Sequence, residues 1–352
     1  MAAPIRLLIL GTGGMAANHA EKFAEIEGVE LVGGVDTRPA QLAAFCDKFG
    51  IAHRFASLQD ALAWGQFDAV TNVTPDAAHY ATTMPILAAG KHILCEKPLA
   101  TNAREAQEMA DAAARAGVVN MVNLSYRNVP ALQQAAKLVR MGAIGHVRHF
   151  EASYLQSWLT QPAWGDWKTE SQWLWRLSSA HGSKGVLGDV GIHILDFTTF
   201  IAGQAASSVS CLLKTFDKAP GGKIGEYTLD ANDSATMQLQ LAGGALGTVA
   251  ATRMASGHLN DLRLRIYGDL GGLDVRFENQ ISALRACLGA DIQTATWRDV
   301  DCPTLPSIYE RFVAAIRGTD AAEPNFARGA ELQRLLDAAE GSAAKSGTKV
   351  AI

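Results

Sequence analysis

Apolar residues in the first third of the chain come in short runs separated by stretches of helical spacing. Ile5–Leu10, Val29–Val35 and Asp68–Thr74 read as strands, with helices between them running to about Glu27 and about Phe49. After Thr74-Pro75 the pattern predicts a helix through Leu87, a turn at Gly90-Lys91, a strand His92–Cys95, a helix from Thr101 to about Ala116 and a strand Val118–Leu124. Thr101 offers a hydroxyl cap, Glu105 an acidic first turn and Gly117 a stop. Such alternation predicts a doubly wound parallel sheet covered by helices, closing near Tyr126, so that residues 1–125 form one α/β domain.

From His146 the period shortens. Val147–Tyr154, Ala206–Thr215, Ser234–Leu241, Ala245–Arg253, Leu262–Tyr267 and Gly272–Phe277 read as strands joined by short turns, with Ala242-Gly243-Gly244 as a hairpin turn. A mostly antiparallel open sheet follows, in an α+β domain over 126–352. Helical patterns at Ile308–Ile316 and Arg328–Ala344 are left to cover a sheet face or to pack back on the first domain.

Composition narrows the class. A chain of 352 residues, 48 % hydrophobic and with a formal net charge of −4, is long enough for two cores and has no basic stretch for nucleic acid. No membrane partner is expected either. The start, Met-Ala-Ala-Pro-Ile-Arg, has no signal-peptide pattern, which predicts a cytoplasmic protein. The five cysteines, Cys46, Cys95, Cys211, Cys287 and Cys302, show no CxxC spacing and read as reduced, structural thiols.

Chemistry concentrates in three places. Gly11-Thr12-Gly13-Gly14-Met15-Ala16 fits G-x-G-x-x-G/A between a strand and a helix, where the first glycine makes the tight turn and the second admits a pyrophosphate. Asp36 ends the second strand about twenty residues on, where a carboxylate takes ribose hydroxyls, so Asp36-Thr37-Arg38 favours NAD. Arg38 keeps NADP open as the alternative. Thr74, Pro75 and His79 follow the third strand at the same carboxyl edge and are cofactor candidates, His79 equally a packing residue.

Glu96-Lys97-Pro98 ends another strand at that edge, which makes Lys97 a candidate to polarise a hydroxyl or carbonyl beside the nicotinamide. In the third place, Asp189, His193 and Asp196 are spaced i, i+4 and i+7 on one helical face. His193 is a candidate base, and Asp196 either orients it or serves structure. No metal is expected, since Asp189, His193 and His181 lack further ligands at metal spacing.

On these residues the chain resembles the Gfo/Idh/MocA oxidoreductases, which include glucose–fructose oxidoreductase and inositol dehydrogenases, over essentially its full length. The resemblance implies an N-terminal Rossmann domain and a C-terminal domain whose large open sheet often forms dimers or tetramers. Lys97 matches the family's EKP lysine, Asp189 and His193 its D-x-x-x-H pair, and Tyr126-Arg127 an aromatic–basic element near the substrate pocket. By that likeness Lys97 anchors the reacting hydroxyl and Glu96 belongs to the cofactor side. Asp189 then orients the substrate and His193 exchanges the proton.

Gln156–Arg176 sets this chain apart with Trp158, Trp164, Trp167, Trp173 and Trp175. These indoles suit a sugar-facing wall or lid, Trp158 and Arg176 being substrate candidates, or else pack the segment itself. The expected activity is hydride transfer between NAD and a secondary hydroxyl of a sugar, polyol or glycoside. The alternatives are glycoside cleavage through transient oxidation and a nucleotide-sensing regulator.

Overall fold

The computed structural model describes residues 3–352; Met1 and Ala2, which open the N-terminal stretch, lie outside them. Two units emerge, one comprising the chain up to Ser125 with Pro306–Gln333, the other Tyr126–Leu305 with Arg334–Ile352.

The first unit is a parallel sheet of β1 (Ile5–Leu10), β2 (Val29–Val35), β3 (His53–Phe55), β4 (Ala69–Asn72), β5 (His92–Cys95) and β6 (Asn120–Val122) in the order β3-β2-β1-β4-β5-β6. Helices α1 (Gly14–Ala24), α2 (Pro39–Phe49), α3 (Leu58–Trp64), α4 (His79–Ala88) and α5 (Ala103–Ala116) connect the strands. All four residues of β4 are buried, as a strand covered on both faces requires. Strand order reverses between β1 and β4, and a crevice at the carboxyl ends is the consequence.

Two local expectations change. The α5 cap is Asn102, whose side chain accepts from Glu105 N at 3.0 Å, not the Thr101 hydroxyl. The short β3 and α3 were not anticipated: β3 has three residues, none of them fully buried, too few for a periodic signal.

Residues 306–333, assigned from the sequence to the second domain, group with the first unit. The physical reason is the helix Ile308–Ile316, capped by a Ser307–Glu310 box, which puts Ile308, Tyr309, Phe312 and Val313 into one core with Ile9, Phe23 and Leu94. Burying each of its large aliphatic and Phe side chains is worth roughly 1.5–3 kcal/mol.

The second unit opens with α6 (Pro130–Arg140), which starts at a proline without a side-chain cap and was not anticipated. Then come β7 (Val147–Leu155), the single turn α7 (Ser171–Leu174), a π-helical turn over Leu187–Gly191 and α8 (Ile192–Ala202). Strands β8 (Ala206–Lys214), the paired β9 (Lys223–Ile224) and β10 (Tyr227–Thr228), β11 (Ser234–Leu241), β12 (Leu246–Thr252), β13 (Asp261–Gly268), β14 (Gly271–Glu278), β15 (Ile281–Leu288), β16 (Arg298–Asp299) and β17 (Val350–Ala351) follow.

Nine strands form one sheet in the order β16-β15-β14-β13-β7-β12-β11-β8-β17, antiparallel throughout except for the parallel β7–β12 pair. On one face Phe150, Ala152, Leu264, Ile266, Val249 and Met237 are buried, where α6 and α8 pack. The other face is open and mixed, with Arg263 paired to Asp274, Arg265 to Glu151, and Leu212 and Leu246 exposed on it.

Candidate active site

The carboxyl edge of the first sheet is shaped by backbone before side chains. Gly11 has φ +88°, and a Cβ there would lie 2.7 Å from the Val73 carbonyl oxygen, so only glycine makes this turn. Gly13 caps α1 with no side-chain hydrogen bond, and Cβ atoms added at Gly13 or Gly14 would meet nothing within 4 Å. The helix amino terminus therefore opens onto free space with first-turn donors unclaimed by side chains. That cradle fits a dinucleotide pyrophosphate.

Asp36 is buried and accepts from Thr12 N at 2.9 Å, Thr12 Oγ1 at 2.8 Å and the Arg38 backbone and guanidinium at 2.9–3.0 Å. Burial would raise its pKa, but these donors hold it well below the ordinary carboxylate value, so it is ionised. Met15 and Thr37 are exposed beside it, and Ala16 is buried under β1 as the small residue that close packing needs. Thr74 is tied to Asn72 Oδ1 through its hydroxyl at 2.7 Å, and Pro75 is exposed.

His79 is fully buried, with Nδ1 2.8 Å from the Pro98 carbonyl and Nε2 2.9 Å from that of Thr74. Only a doubly protonated ring donates to both. Burial opposes that charge, yet Cys95, Asp76 and the Pro98 carbonyl raise its pKa to about 10. Through these two contacts the ring ties the Thr74 loop to the Pro98 loop.

Glu96, directly after β5, is buried, accepting from His19 Nε2 at 2.9 Å and Asn123 Nδ2 at 2.6 Å, while His19 Nδ1 meets the Thr71 hydroxyl at 2.7 Å. Burial pushes against ionisation, but His19, Lys97 and Asn123 bring its pKa down to about 2. Its Oε2 also takes the Lys97 N–H at 3.1 Å, which fixes the backbone that carries the lysine. Sequence reading missed His19, Thr71 and Asn123. His19 left a signal as a polar residue on the Ala16–Ala20–Phe23 face of α1, and Asn123 left one by following β6 at the same edge.

In the second unit, Asp189 lies in the π-turn and His193 in the first turn of α8, so the expected regular helix is underwound across the pair. Asp189 accepts from Arg176 Nη1 at 3.2 Å and from Arg253 Nη2 at 2.9 Å. Arg253 is fully buried, lies 5.1 Å from the Trp158 ring centroid and also donates to the Arg176 carbonyl at 3.1 Å. Burial lowers its pKa against the pull of Asp189. Nothing in the sequence flagged it.

His193 is buried, with the Tyr126 ring edge-on at 4.9 Å. Tyr126 and Tyr154 share a 2.6 Å hydroxyl contact, and burial raises the pKa of Tyr126 to about 12. From there a polar chain continues: Tyr154 donates to Asn260 Oδ1 at 2.7 Å, Gln156 Nε2 to the same atom at 2.7 Å, and Trp158 Nε1 to Gln156 Oε1 at 3.2 Å. Gln156 follows β7 directly, a position that could have marked it.

Arg127 and Asp196 form a bidentate pair at 2.6 and 2.7 Å, each side chain 4 % exposed, with the guanidinium 3.7 Å from the Phe200 ring. Arg127, expected near the substrate, is held by this pair to Asp196 on α8. The His181 ring lies tilted against Tyr227, centroids 4.4 Å apart, and its Nδ1 is 2.9 Å from Ser178 Oγ. Trp158 and Trp167 are buried in a cluster with Leu159, Leu174, Leu177 and Leu229, against which Trp173 packs, while Trp164 is 37 % exposed. The segment mostly packs on itself. A separate concavity of about 570 Å³, lined by Arg6, Phe49, His53 and Trp64, opens at the amino edge of the first sheet and contains none of these residues.

A doubly wound parallel sheet with a glycine cradle at its carboxyl edge and a buried, ionised Asp36 at the end of β2 is the arrangement of a dinucleotide-binding Rossmann unit. Residues 5–124 match the oxidoreductase family with an NAD-binding Rossmann fold, and residues 132–274 match the GFO/IDH/MocA C-terminal domain. The chain belongs to the Gfo/Idh/MocA family.

Levoglucosan dehydrogenase of Pseudarthrobacter phenanthrenivorans is 29 % identical over 70 % of this chain, which spans 64 % of that relative's length. D-glucoside 3-dehydrogenase of Escherichia coli is 30 % identical over 69 % of each chain. A solved structure of levoglucosan dehydrogenase in complex with NADH and L-sorbose superposes with a TM-score of 0.87 at 26 % identity, covering 100 % of this chain and 99 % of that one. Among the described residues no helix is long and apolar enough to cross a membrane.

Proposed function

We propose that the protein transfers a hydride between nicotinamide and a secondary hydroxyl, or its carbonyl, on a sugar, polyol or glycoside. The observation that carries this reading is one helical run bearing His193, braced edge-on by Tyr126, and Asp189, clamped by two arginines. The names of the related dehydrogenases, which act on levoglucosan and D-glucosides, support the substrate class.

Gly11–Ala16 and the α1 amino terminus hold the pyrophosphate, Asp36 the adenosine ribose hydroxyls, and Thr74, Pro75 and Glu96-Lys97 border the nicotinamide. The ionised Asp36 repels a 2′-phosphate, which favours NAD; Arg38, its side chain 63 % exposed, is the group through which NADP could be accommodated. When bound, the nicotinamide supplies the hydride acceptor or donor. On the protein side, Lys97 stabilises the developing alkoxide, His193 takes the hydroxyl proton, and Asp189 orients the substrate.

The setting is cytoplasmic, and the protein is a homodimer or homotetramer: Leu212 and Leu246 are 58 % and 56 % exposed on the open face of the large sheet, apolar area that self-association would cover.

The test is NADH absorbance with inositols, aldoses and glycosides, with product analysis to separate net oxidation from glycoside cleavage. Lys97→Ala and His193→Ala should each lose roughly 10²–10⁴-fold in kcat. Unaltered turnover in both variants sinks the assignment.

A further inference from the structure

We propose that His258, Asp261 and Glu278 bind one divalent transition-metal cation, a site distinct from the residues assigned to hydride transfer and independent of that assignment. One imidazole nitrogen and one oxygen from each carboxylate lie within 4.8 Å of one another. Tetrahedral ligands at about 2.0–2.1 Å from zinc are roughly 3.4 Å apart, so the cluster closes by small rotations. His258 and Glu278, with side chains 37 % and 32 % exposed, are free to make them.

The strand ladder dictates the encounter. Leu262 pairs with Phe277 between β13 and β14, and one step further the antiparallel register sets Asp261 opposite Glu278. Like charges facing each other across strands are unfavourable unless a cation intervenes.

Asp261 sharpens the case because it is only 6 % exposed. Its Oδ2 takes His258 Nδ1 at 2.8 Å, whereas its buried Oδ1 has no hydrogen-bond partner among the described residues. A buried carboxylate oxygen without a donor is costly and calls for an explanation. Neighbouring arginines do not supply one: Arg263 gives both hydrogen bonds to Asp274, and Arg276 lies 3.7 Å from Glu278. One imidazole with two carboxylates suits zinc or manganese better than the all-oxygen shells of calcium and magnesium.

The sequence reading expected no metal on the ground that Asp189, His193 and His181 lack further ligands, and it did not single out this cluster, whose His258 and Asp261 are separated from Glu278 by the length of β13, a turn and β14. The site also has a structural address. Asn260, at φ +48°, carries the carboxamide oxygen that Tyr154 and Gln156 share, and Ser157 Oγ holds the His258 carbonyl at 2.6 Å. A cation here fixes the loop that presents Asn260.

The experiment uses the full chain, stripped with EDTA and dialysed into metal-free buffer. It is titrated with ZnCl2 by calorimetry and with MnCl2 by electron paramagnetic resonance, with MgCl2 and CaCl2 as competitors. One equivalent should bind tighter than about 100 μM, with affinity falling at least about tenfold in Asp261→Asn, Glu278→Gln and His258→Gln. Zinc should also slow hydrogen exchange at residues 257–261 in the wild type and not in Glu278→Gln. The latter two variants alter partly exposed side chains and keep the test decisive if Asp261→Asn fails to fold. Binding weaker than about 100 μM, or binding unchanged in Glu278→Gln and His258→Gln, overturns the proposal.

Discussion

Replacing Arg127 with methionine withdraws the guanidinium from a carboxylate only 4 % exposed. Both hydrogen bonds, at 2.6 and 2.7 Å, are lost, as is the stacking on Phe200 at 3.7 Å. Breaking a buried ion pair from one side costs about 3–5 kcal/mol, because one charge stays buried, and the cation–π contact adds about 1 kcal/mol. An expected loss of roughly 4–6 kcal/mol follows. Replacing both members with apolar residues of similar size is often near neutral, so Arg127→Met with Asp196→Leu should recover most of it.

Urea unfolding followed by tryptophan fluorescence suits the measurement, since Trp64 is the only one of the seven tryptophans in the first unit. A substrate-binding arginine, as the sequence suggested, would instead leave the unfolding midpoint in place and raise KM. A loss below about 1 kcal/mol, or a double variant no more stable than the single one, would refute the structural account.

Gly11→Ala should cost about 1–3 kcal/mol of backbone strain and weaken NAD binding in a fluorescence titration, since φ is +88° and the new Cβ meets the Val73 oxygen at 2.7 Å; unchanged affinity would mean that the turn is not a binding element. Asp36→Ala should weaken NAD about 10–100-fold and improve the NADP-to-NAD ratio, and an equal loss for both nucleotides would count against the ribose assignment. Glu96 has a folded pKa of about 2 against an ordinary 4.5. Its contribution, about 3 kcal/mol, is therefore present in full above pH 4.5 and lost as the pH falls through about 2. Acid titration of urea midpoints should show that slope in the wild type and a flatter one in Glu96→Gln.

The first sheet was legible because each strand is a short apolar run bounded by turn residues, and because the carboxyl-edge rule sent Gly11, Asp36, Thr74 and Lys97 to one rim. Ser234–Leu241 appears with its sequence-read limits. The strand β15 escaped because Ala283 and Ala286 dilute its alternation, and α6 because its start has no side-chain cap, although Pro130 at the first position and Lys137 and Arg140 in the last turn are signals that could have marked it. Side-chain partnerships were the least visible part. The Arg253–Asp189 and Glu96–His19 pairs join residues 64 and 77 positions apart, and only the fold brings them together. The underwound turn at Asp189 was hidden for another reason: a π-turn and an α-turn share the same apolar pattern over so few residues.

The helix Ile308–Ile316 completes the core around Phe23, yet the rest of that unit's sheet is synthesised by Ser125. At about 5–20 residues per second the ribosome needs roughly 10–40 s to travel from one point to the other. Throughout that interval the nascent nucleotide-binding unit has a finished sheet and an uncovered apolar flank. A stop codon between Ser125 and Ile308 would strand it in that condition, a client for chaperones instead of an enzyme, although every residue of its glycine cradle had already been made.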